Sequence, residues 1–242
     1  MSDNSLSGKS FVVAGGSHGI GLSITRGLNR LGATVHVMSR TTGELPQSDH
    51  ILHQTVDFAS EDTIPAEFPE TIHGAVYCPG TINLRSFRGL PLETFRHDFE
   101  VNLIGAVKFL KGCLSGLKKG GAERASSVVL FSTVAVQTGL PMHCSVASAK
   151  GGVEGLTRSL AAELAPAVRV NCLAPALTDT PLAASFFSSP EKRSAMDARY
   201  PLARSGQPED LAEAALWLLD ERGGWITGQI IHVDGGLSSL RV

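Results

Sequence analysis

Residues 10–21 read Ser-Phe-Val-Val-Ala-Gly-Gly-Ser-His-Gly-Ile-Gly, an apolar run that breaks into a loop carrying Gly15, Gly16, Gly19 and Gly21. Apolar residues then recur at Ile20, Ile24, Leu28 and Leu31, the spacing of one helix face. Strand, glycine loop and helix in this order make a phosphate cradle. Glycines let the backbone turn sharply and let a pyrophosphate come close, and the free N–H groups and dipole of the helix start favour negative charge. A second strand ending about 20 residues further on is where a dinucleotide's ribose is held. Ser39 and Arg40 stand at that end. A carboxylate there would accept hydrogen bonds from the ribose of NAD and repel a 2′-phosphate, whereas an arginine attracts the phosphate. The pair predicts NADP(H), with Gly15, Ser17, His18, Gly19, Ile20 and Gly21 in the cradle and Ser39 and Arg40 at the ribose.

The rest of the chain supplies elements that would hold such a site. Short β-branched or apolar runs at 11–14, 33–38, 51–56, 74–77, 128–131, 169–173 and 229–233 read as strands. Helical stripes separate most of them. Phe95, Phe99, Leu103, Val107, Leu110 and Leu114 predict one long helix over 95–117, ended by Lys118-Lys119-Gly120-Gly121. A second runs over 145–164 and stops before Pro166, and a third covers 211–219 after the start signal Pro208-Glu209-Asp210. The acidic stretch 60–71, with Pro65 and Pro69, allows a short, weak helix at most. Residues 174–199, punctuated by Pro175, Pro181 and Pro190, read as a mobile excursion. Strands alternating with helices predict an α/β Rossmann fold, a doubly wound parallel seven-stranded sheet with helices on both faces, spanning residues 1–242 as a single domain. The ligand would lie at the carboxyl ends of the strands.

Composition narrows the function. The 242 residues carry a formal net charge of −2 with no basic block, so no nucleic-acid or membrane partner is expected. The four cysteines, Cys78, Cys113, Cys144 and Cys172, form no C-x-x-C pair, and no helix bears paired histidines, which argues against a metal site or a disulfide framework. Residues 1–9 contain no apolar signal core, and no apolar run approaches the roughly 18 to 20 residues needed to span a bilayer. A cytoplasmic protein with reduced thiols is the expectation.

Taken together, the motifs resemble the short-chain dehydrogenase/reductase superfamily, and within it the 3-oxoacyl-carrier-protein-reductase type. The family's Thr-Gly-x-x-x-Gly-x-Gly stands here as Ala14-Gly15-Gly16-Ser17-His18-Gly19-Ile20-Gly21, and its Asn-Asn-Ala-Gly as Tyr77-Cys78-Pro79-Gly80. The resemblance implies an adenine contact at Asp57 with the adjacent Phe58, a nicotinamide-side contact at Gly80, and a structural and catalytic asparagine at Asn102. Its cofactor loop Pro-Gly-x-x-x-Thr reads Pro175-Ala176-Leu177-Thr178-Asp179-Thr180, giving Pro175, Thr178 and Thr180 as cofactor residues; the tail Val233-Asp234-Gly235-Gly236 also fits. Lys150 matches the lysine that binds ribose and acts in catalysis, and Thr133 supplies the hydroxyl that holds a substrate oxygen.

One position departs from the pattern. Four residues before Lys150, where the family has its proton-donating tyrosine, stands Val146. A positioned acid is worth about 10² to 10⁴ in rate, so its loss demands a substitute or weakens the chemistry. His143, three residues before Val146, is the candidate substitute; Ser145 and Ser148 are weaker, since unassisted hydroxyls are poor acids, and Tyr77 reads as core. Three functions remain open at this point: an NADP(H)-dependent oxidoreductase acting on a small-molecule carbonyl or alcohol with His143, Thr133 or a Lys150-held water in place of the tyrosine; a lyase or isomerase on the same scaffold; and a catalytically silent NADP(H)-binding protein. The resemblance further implies a homotetramer or homodimer built on the helices at 95–117 and 145–164 and on the last strand.

Overall fold

The computed structural model describes residues 5–60 and 67–241. Seven strands form one sheet in the order β3-β2-β1-β4-β5-β6-β7, every neighbouring pair parallel. They are β1 (Ser10–Ala14), β2 (Thr34–Ser39), β3 (Ile51–Thr55), β4 (Gly74–Tyr77), β5 (Ser126–Phe131), β6 (Val168–Pro175) and β7 (Ile230–Val233). Strand parity divides the core into two layers. Val12, Ala14, Val128 and Leu130 turn to one face, and Phe11, Val13, Val129 and Phe131 to the other.

Helices α1 (Gly19–Arg30) and α6 (Pro208–Leu219) cover the second of these faces. In α1 the buried stripe Leu22, Ile24, Leu28 packs inward, Arg26 stays outside, and Arg30 in the last turn suits the negative end of the helix dipole. In α6 Pro208 opens the helix and the Asp210 carboxylate accepts from the backbone N–H of Gln207 at 2.8 Å, so the start signal seen in the sequence is a working cap. The opposite face carries α3 (Gly105–Gly120), with Phe109 and Cys113 buried, and α4 (Cys144–Leu164), with Val153 and Ala161 buried. The sequence-predicted long helix over 95–117 is instead two helices, α2 (Leu92–Phe99) and α3, joined by a widened π-type turn over Glu100–Ile104. Apolar periodicity continues through such a turn, which is why the pattern reads as uninterrupted; π turns are frequent at functional sites. A second correction concerns 174–199. Pro175 belongs to β6, and the remainder holds a 3₁₀ turn over Pro181–Phe187 and helix α5 (Pro190–Asp197), opened by Ser189, whose hydroxyl accepts from the Lys192 N–H. The short helix considered at 60–71 falls partly on 61–66, outside the described residues.

The strand order reverses between β1 and β4, and the loops leaving their carboxyl ends diverge there to form the crevice in which doubly wound sheets bind ligands. Among the described residues no helix is long and apolar enough to cross a membrane. At the opposite edge of the sheet, Arg169 of β6 is buried and donates to the carbonyls of Leu218 at 2.8 Å, Gly223 at 2.9 Å, Ile226 at 3.3 Å and Asp220 at 3.4 Å. One guanidinium thus satisfies the chain turn that follows α6. Arg169→Met keeps the length of the side chain but removes all four of these hydrogen bonds, whose acceptors each keep one other donor; chemical denaturation should show a loss of about 1.5 to 3 kcal/mol, the scale of hydrogen bonds to a charged group.

Candidate active site

The glycine loop leaving β1 is held from below. Thr25 of α1 donates its hydroxyl to the carbonyl of Gly21 at 2.9 Å and lies 3.2 Å from that of Gly16. A side chain at residue 21 would place its Cβ 2.2 Å from the carbonyl oxygen of Gly15, backbone against backbone, so only glycine fits where the helix start closes on the strand end. The loop after β6 comes down on the same spot: a Cβ at Gly19 would sit 3.3 Å from Cβ of Thr180.

Above this loop runs a groove of about 880 Å³, lined by Gly15, Ser17 and His18 of the loop, Ser39 and Arg40 after β2, and Asp57 and Phe58 after β3. The His18 Nδ1 and Ser17 hydroxyl are 3.0 Å apart. Arg40 is exposed, whereas the buried Ser39 hydroxyl donates to the carbonyl of Thr41 at 2.9 Å and lies 3.1 Å from His53 Nε2, so it is committed within the protein. Asp57 caps the following turn, its carboxylate accepting from the Ala59 N–H at 3.0 Å. The Phe58 ring packs edge-on against Tyr77 and Phe109. Tyr77 belongs to that same core cluster and donates to the Val101 carbonyl at 2.7 Å. Burial, with Glu100 and Asp57 nearby, raises its pKa far above the ordinary phenol value. The reading of Tyr77 as core follows from these contacts.

A second, smaller cavity of about 270 Å³ adjoins the groove and shares with it the wall Cys78, Gly80, Thr81, Ile82 and Leu182. Thr133, His143, Val146 and Lys150 all line it, together with Ile20, Pro175, Thr178 and Thr180. Thr133, just beyond β5, accepts from the Ala135 N–H at 3.3 Å. The neighbouring Ser132 is spent differently, donating to the buried Glu154 of α4 at 2.8 Å, so Thr133 is the hydroxyl left for the cavity. His143 precedes α4 by one residue and does not belong to it; its Nδ1 lies 2.7 Å from the Pro141 carbonyl, which fixes the ring and leaves Nε2 for other partners. Ser148 is exposed and donates to the Cys144 carbonyl at 2.6 Å, and Ser145 is fully buried with no hydrogen-bond partner among the described residues; neither lines the cavity.

Lys150, only 7 % exposed, donates to the Phe131 carbonyl at 2.8 Å. Burial lowers its pKa to about 8, against the smaller opposing effects of Cys172 and Cys78. Both thiols are pushed up to about 12 by burial and stay neutral. A Cβ on Gly80 would lie 3.5 Å from Lys150 Nζ and 3.3 Å from Asn102 Oδ1, so the shared wall, the lysine and the asparagine meet there. Asn102 sits in the π-type turn and does not reach the cavity itself. Its amide donates to the Asp98 carbonyl at 2.7 Å and to Thr81 Oγ1 at 2.9 Å, while Oδ1 is buried with no partner among the described residues. Thr81 in turn donates to the buried Asp98 carboxylate at 2.7 Å and Asn83 does so at 2.6 Å, which fixes the loop after β4. Among the described residues, an acceptor without a donor beside a lysine with one acceptor for its three N–H groups makes a polar gap next to the groove.

Residues that sequence reasoning passed over complete the cavity: Met196, Arg199, Tyr200 and Leu237. Leu237 is delivered by the tail motif. Asp234 accepts from the N–H groups of Gly236 at 2.9 Å and Ser238 at 3.0 Å, bending the chain through left-handed Gly235 and Gly236. The Val-Asp-Gly-Gly signal was visible; its consequence for the cavity was not.

With a glycine loop at the β1 carboxyl end, a buried lysine on α4 and a cofactor-sized groove at the point of strand reversal, the chain belongs to the short-chain dehydrogenase/reductase family of oxidoreductases. The profile of the family described as enoyl-(acyl carrier protein) reductase matches residues 14–238. L-Xylulose reductase of Bos taurus is 32% identical over 97% of this chain and 98% of its own. Ligand-free aldohexose dehydrogenase of Thermoplasma acidophilum has the same fold with a TM-score of 0.87 and 27% identity, covering 99% of this chain and 97% of that one. The 3-ketoacyl-(acyl-carrier-protein) reductase of Brucella melitensis, solved with NADH, superposes with a TM-score of 0.85 at 26% identity over 97% of this chain and 100% of its own.

Val146 lines the cavity one helical turn from Lys150, the distance at which side chains of a helix are neighbours. Val146→Tyr would set a phenol beside the lysine ammonium, whose charge favours ionisation. Turnover of a generic 3-oxoacyl ester should rise by about tenfold or more, a modest part of what a placed acid supplies. No gain in a variant that binds cofactor normally would show that the surrounding groups do not form a reductase site.

Proposed function

We propose that this chain is an NADP(H)-dependent oxidoreductase interconverting a carbonyl and an alcohol on a small molecule, with Lys150, Thr133 and His143 as an atypical catalytic set and Asn102 positioning the wall beside them. The observation that carries the reading is the wall, Cys78 to Ile82, that a cofactor-sized groove and an apolar cavity have in common. A hydride donor in the one and a carbonyl in the other would meet across it. The groove residues suit the cofactor: Gly21 lets the α1 start close on the end of β1 so that its N–H groups can meet a pyrophosphate, and Arg40 is an exposed cation with Ser39, not a carboxylate, beside it. Gly15, Ser17, His18, Gly19, Ile20 and Gly21 would cradle the phosphates, Arg40 the 2′-phosphate, Asp57 and the Phe58 backbone the adenine side, and Gly80, Lys150, Pro175, Thr178 and Thr180 the nicotinamide half. When bound, NADP(H) supplies the hydride to a carbonyl or takes it from an alcohol.

The chain's own residues provide the rest. Thr133 donates its hydroxyl to the substrate oxygen and orients it. Asn102 fixes the loop that forms the shared wall. Lys150, directly or through a held water, gives the proton that the oxygen needs, and Val146 leaves nothing between its ammonium and the cavity. His143, anchored through Nδ1, offers Nε2 as the alternative source. One domain over residues 1–242, a cytoplasmic location and a homotetramer or homodimer complete the proposal, the assembly resting on family resemblance.

Arg40→Ala should weaken NADPH binding by roughly 1.5 to 3 kcal/mol, the scale of a charge-assisted hydrogen bond, and leave NADH almost unaffected. Calorimetry with both cofactors tests this, and equal losses would refute the assignment. The proton source has its own signature. Reduction needs the protonated form, so a Lys150 source makes the rate fall as pH rises through about 8. A pH profile without that fall, coupled with loss of activity in His143→Ala, would move the role to His143.

A further inference from the structure

Cations and anions are unevenly shared around the cavity. Its lining contains Lys150 and Arg199 but no aspartate or glutamate. Lys150 stands at the cofactor end, next to Gly80, and is held by the Phe131 carbonyl. Arg199 belongs to the chain just beyond α5, beside the cavity residues Met196 and Tyr200. Most of what lies between is apolar, including Leu84, Leu140, Leu177, Ala183 and Phe186.

Two arginines near Arg199 show what this segment does with a guanidinium that serves structure. Arg193 pairs with Asp179 at 2.7 Å and lies over the Phe187 ring at 4.8 Å. Arg204 makes a two-pronged pair with Asp210 at 2.6 and 2.8 Å. Arg199 has no carboxylate partner among the described residues; its recorded contact is with the Met196 sulfur at 3.8 Å. The acids nearby are otherwise engaged. Asp197 accepts from the Ser205 N–H and hydroxyl, both at 2.7 Å, and Asp234 holds the glycine turn. Arg199 is exposed and so stands where the cavity opens to solvent; with no carboxylate partner among the described residues, an apolar lining beside it and Lys150 at the other end, it suits a ligand with an anionic end and an apolar body.

We propose that Arg199 is a specificity residue that receives the carboxylate of an apolar oxo-acid or hydroxy-acid, whose carbonyl or alcohol carbon lies at the Lys150 end of the cavity. The inference rests on the oxidoreductase reading for the reacting group, though not for the anion. A cavity of about 270 Å³ has room for a ring or a short chain. A planar carboxylate matches the guanidinium fork.

Matched pairs separate charge from shape. With NADPH present, 4-acetylbenzoate is compared with 4-acetylbenzamide, and 6-oxoheptanoate with its amide, by kcat/KM and by calorimetric affinity. Each acid should exceed its amide by about tenfold or more, and Arg199→Gln should bring the ratio close to one while Arg199→Lys keeps part of it. The NADPH affinity of both variants, measured alongside, reports that they are folded. Equal values for acid and amide in the wild type, a ratio that survives Arg199→Gln, or binding of neither compound would overturn the proposal. Acid-selective binding that depends on Arg199 but leads to no turnover would uphold it and refute the oxidoreductase reading; turnover without selectivity would do the reverse.

Discussion

The closeness of the α1 start to the end of β1 is the constraint on which the rest of the structure depends. With the position of a Gly21 Cβ 2.2 Å from the Gly15 carbonyl oxygen, the helix cannot begin there unless residue 21 lacks a side chain. That approach turns the positive end of α1 toward the crevice where the strand order reverses. Every other site group is measured from this point. The loop after β4 carries Gly80 and Thr81, the end of β5 carries Thr133, and the loop after β6 brings Thr180 against Gly19. A parallel sheet puts all of these on one edge because each strand ends on the same side.

Burying a lysine beside that edge has consequences for its neighbours. Lys150 is stripped of water and keeps a single protein acceptor, the Phe131 carbonyl. The lowered pKa is the direct cost of that desolvation, and two adjacent thiols, neutral for the same reason, do little to offset it. The π-type turn answers a related need. A regular helix through 100–104 would pair its backbone groups among themselves, whereas here the Asn102 side chain supplies a donor to the Asp98 carbonyl and spans to Thr81. The asparagine therefore braces the β4 loop from inside the helix. Its unpartnered oxygen and the lysine's spare N–H groups face one another across the space at Gly80.

The cavity's far side is made by a segment whose sequence gives little warning of order. Proline and serine suggest a loop, but Ser189 caps α5, Arg193 ties that helix to Asp179 of the loop after β6, and Asp197 secures the turn at Ser205. These exposed or half-exposed pairs are each worth little alone. Together with Leu182, Phe186 and Met196 against the cavity they give the cover a defined position. The same segment decides which side chains a substrate meets, so fold membership leaves the substrate open.

The sequence by itself determined the α/β alternation, the seven strands, the glycine cradle and the absence of a tyrosine at position 146, because these depend on local periodicity, on backbone freedom and on residue identity. Tertiary structure decided what no local pattern encodes. Asn102 acts from a widened turn because long-range bonds to Thr81 and the packing of α4 settle the backbone there, while apolar spacing alone reads as one helix. Ser132 and Thr133 are adjacent hydroxyls in the chain and both line the cavity, and only the partner offered by Glu154, 22 positions away, separates the engaged one from the one left for a ligand. Arg193, Arg199 and Arg204 are equivalent as letters; whether a carboxylate from elsewhere reaches each of them is fixed by how the chain after β6 folds back, and that alone leaves Arg199 to the cavity.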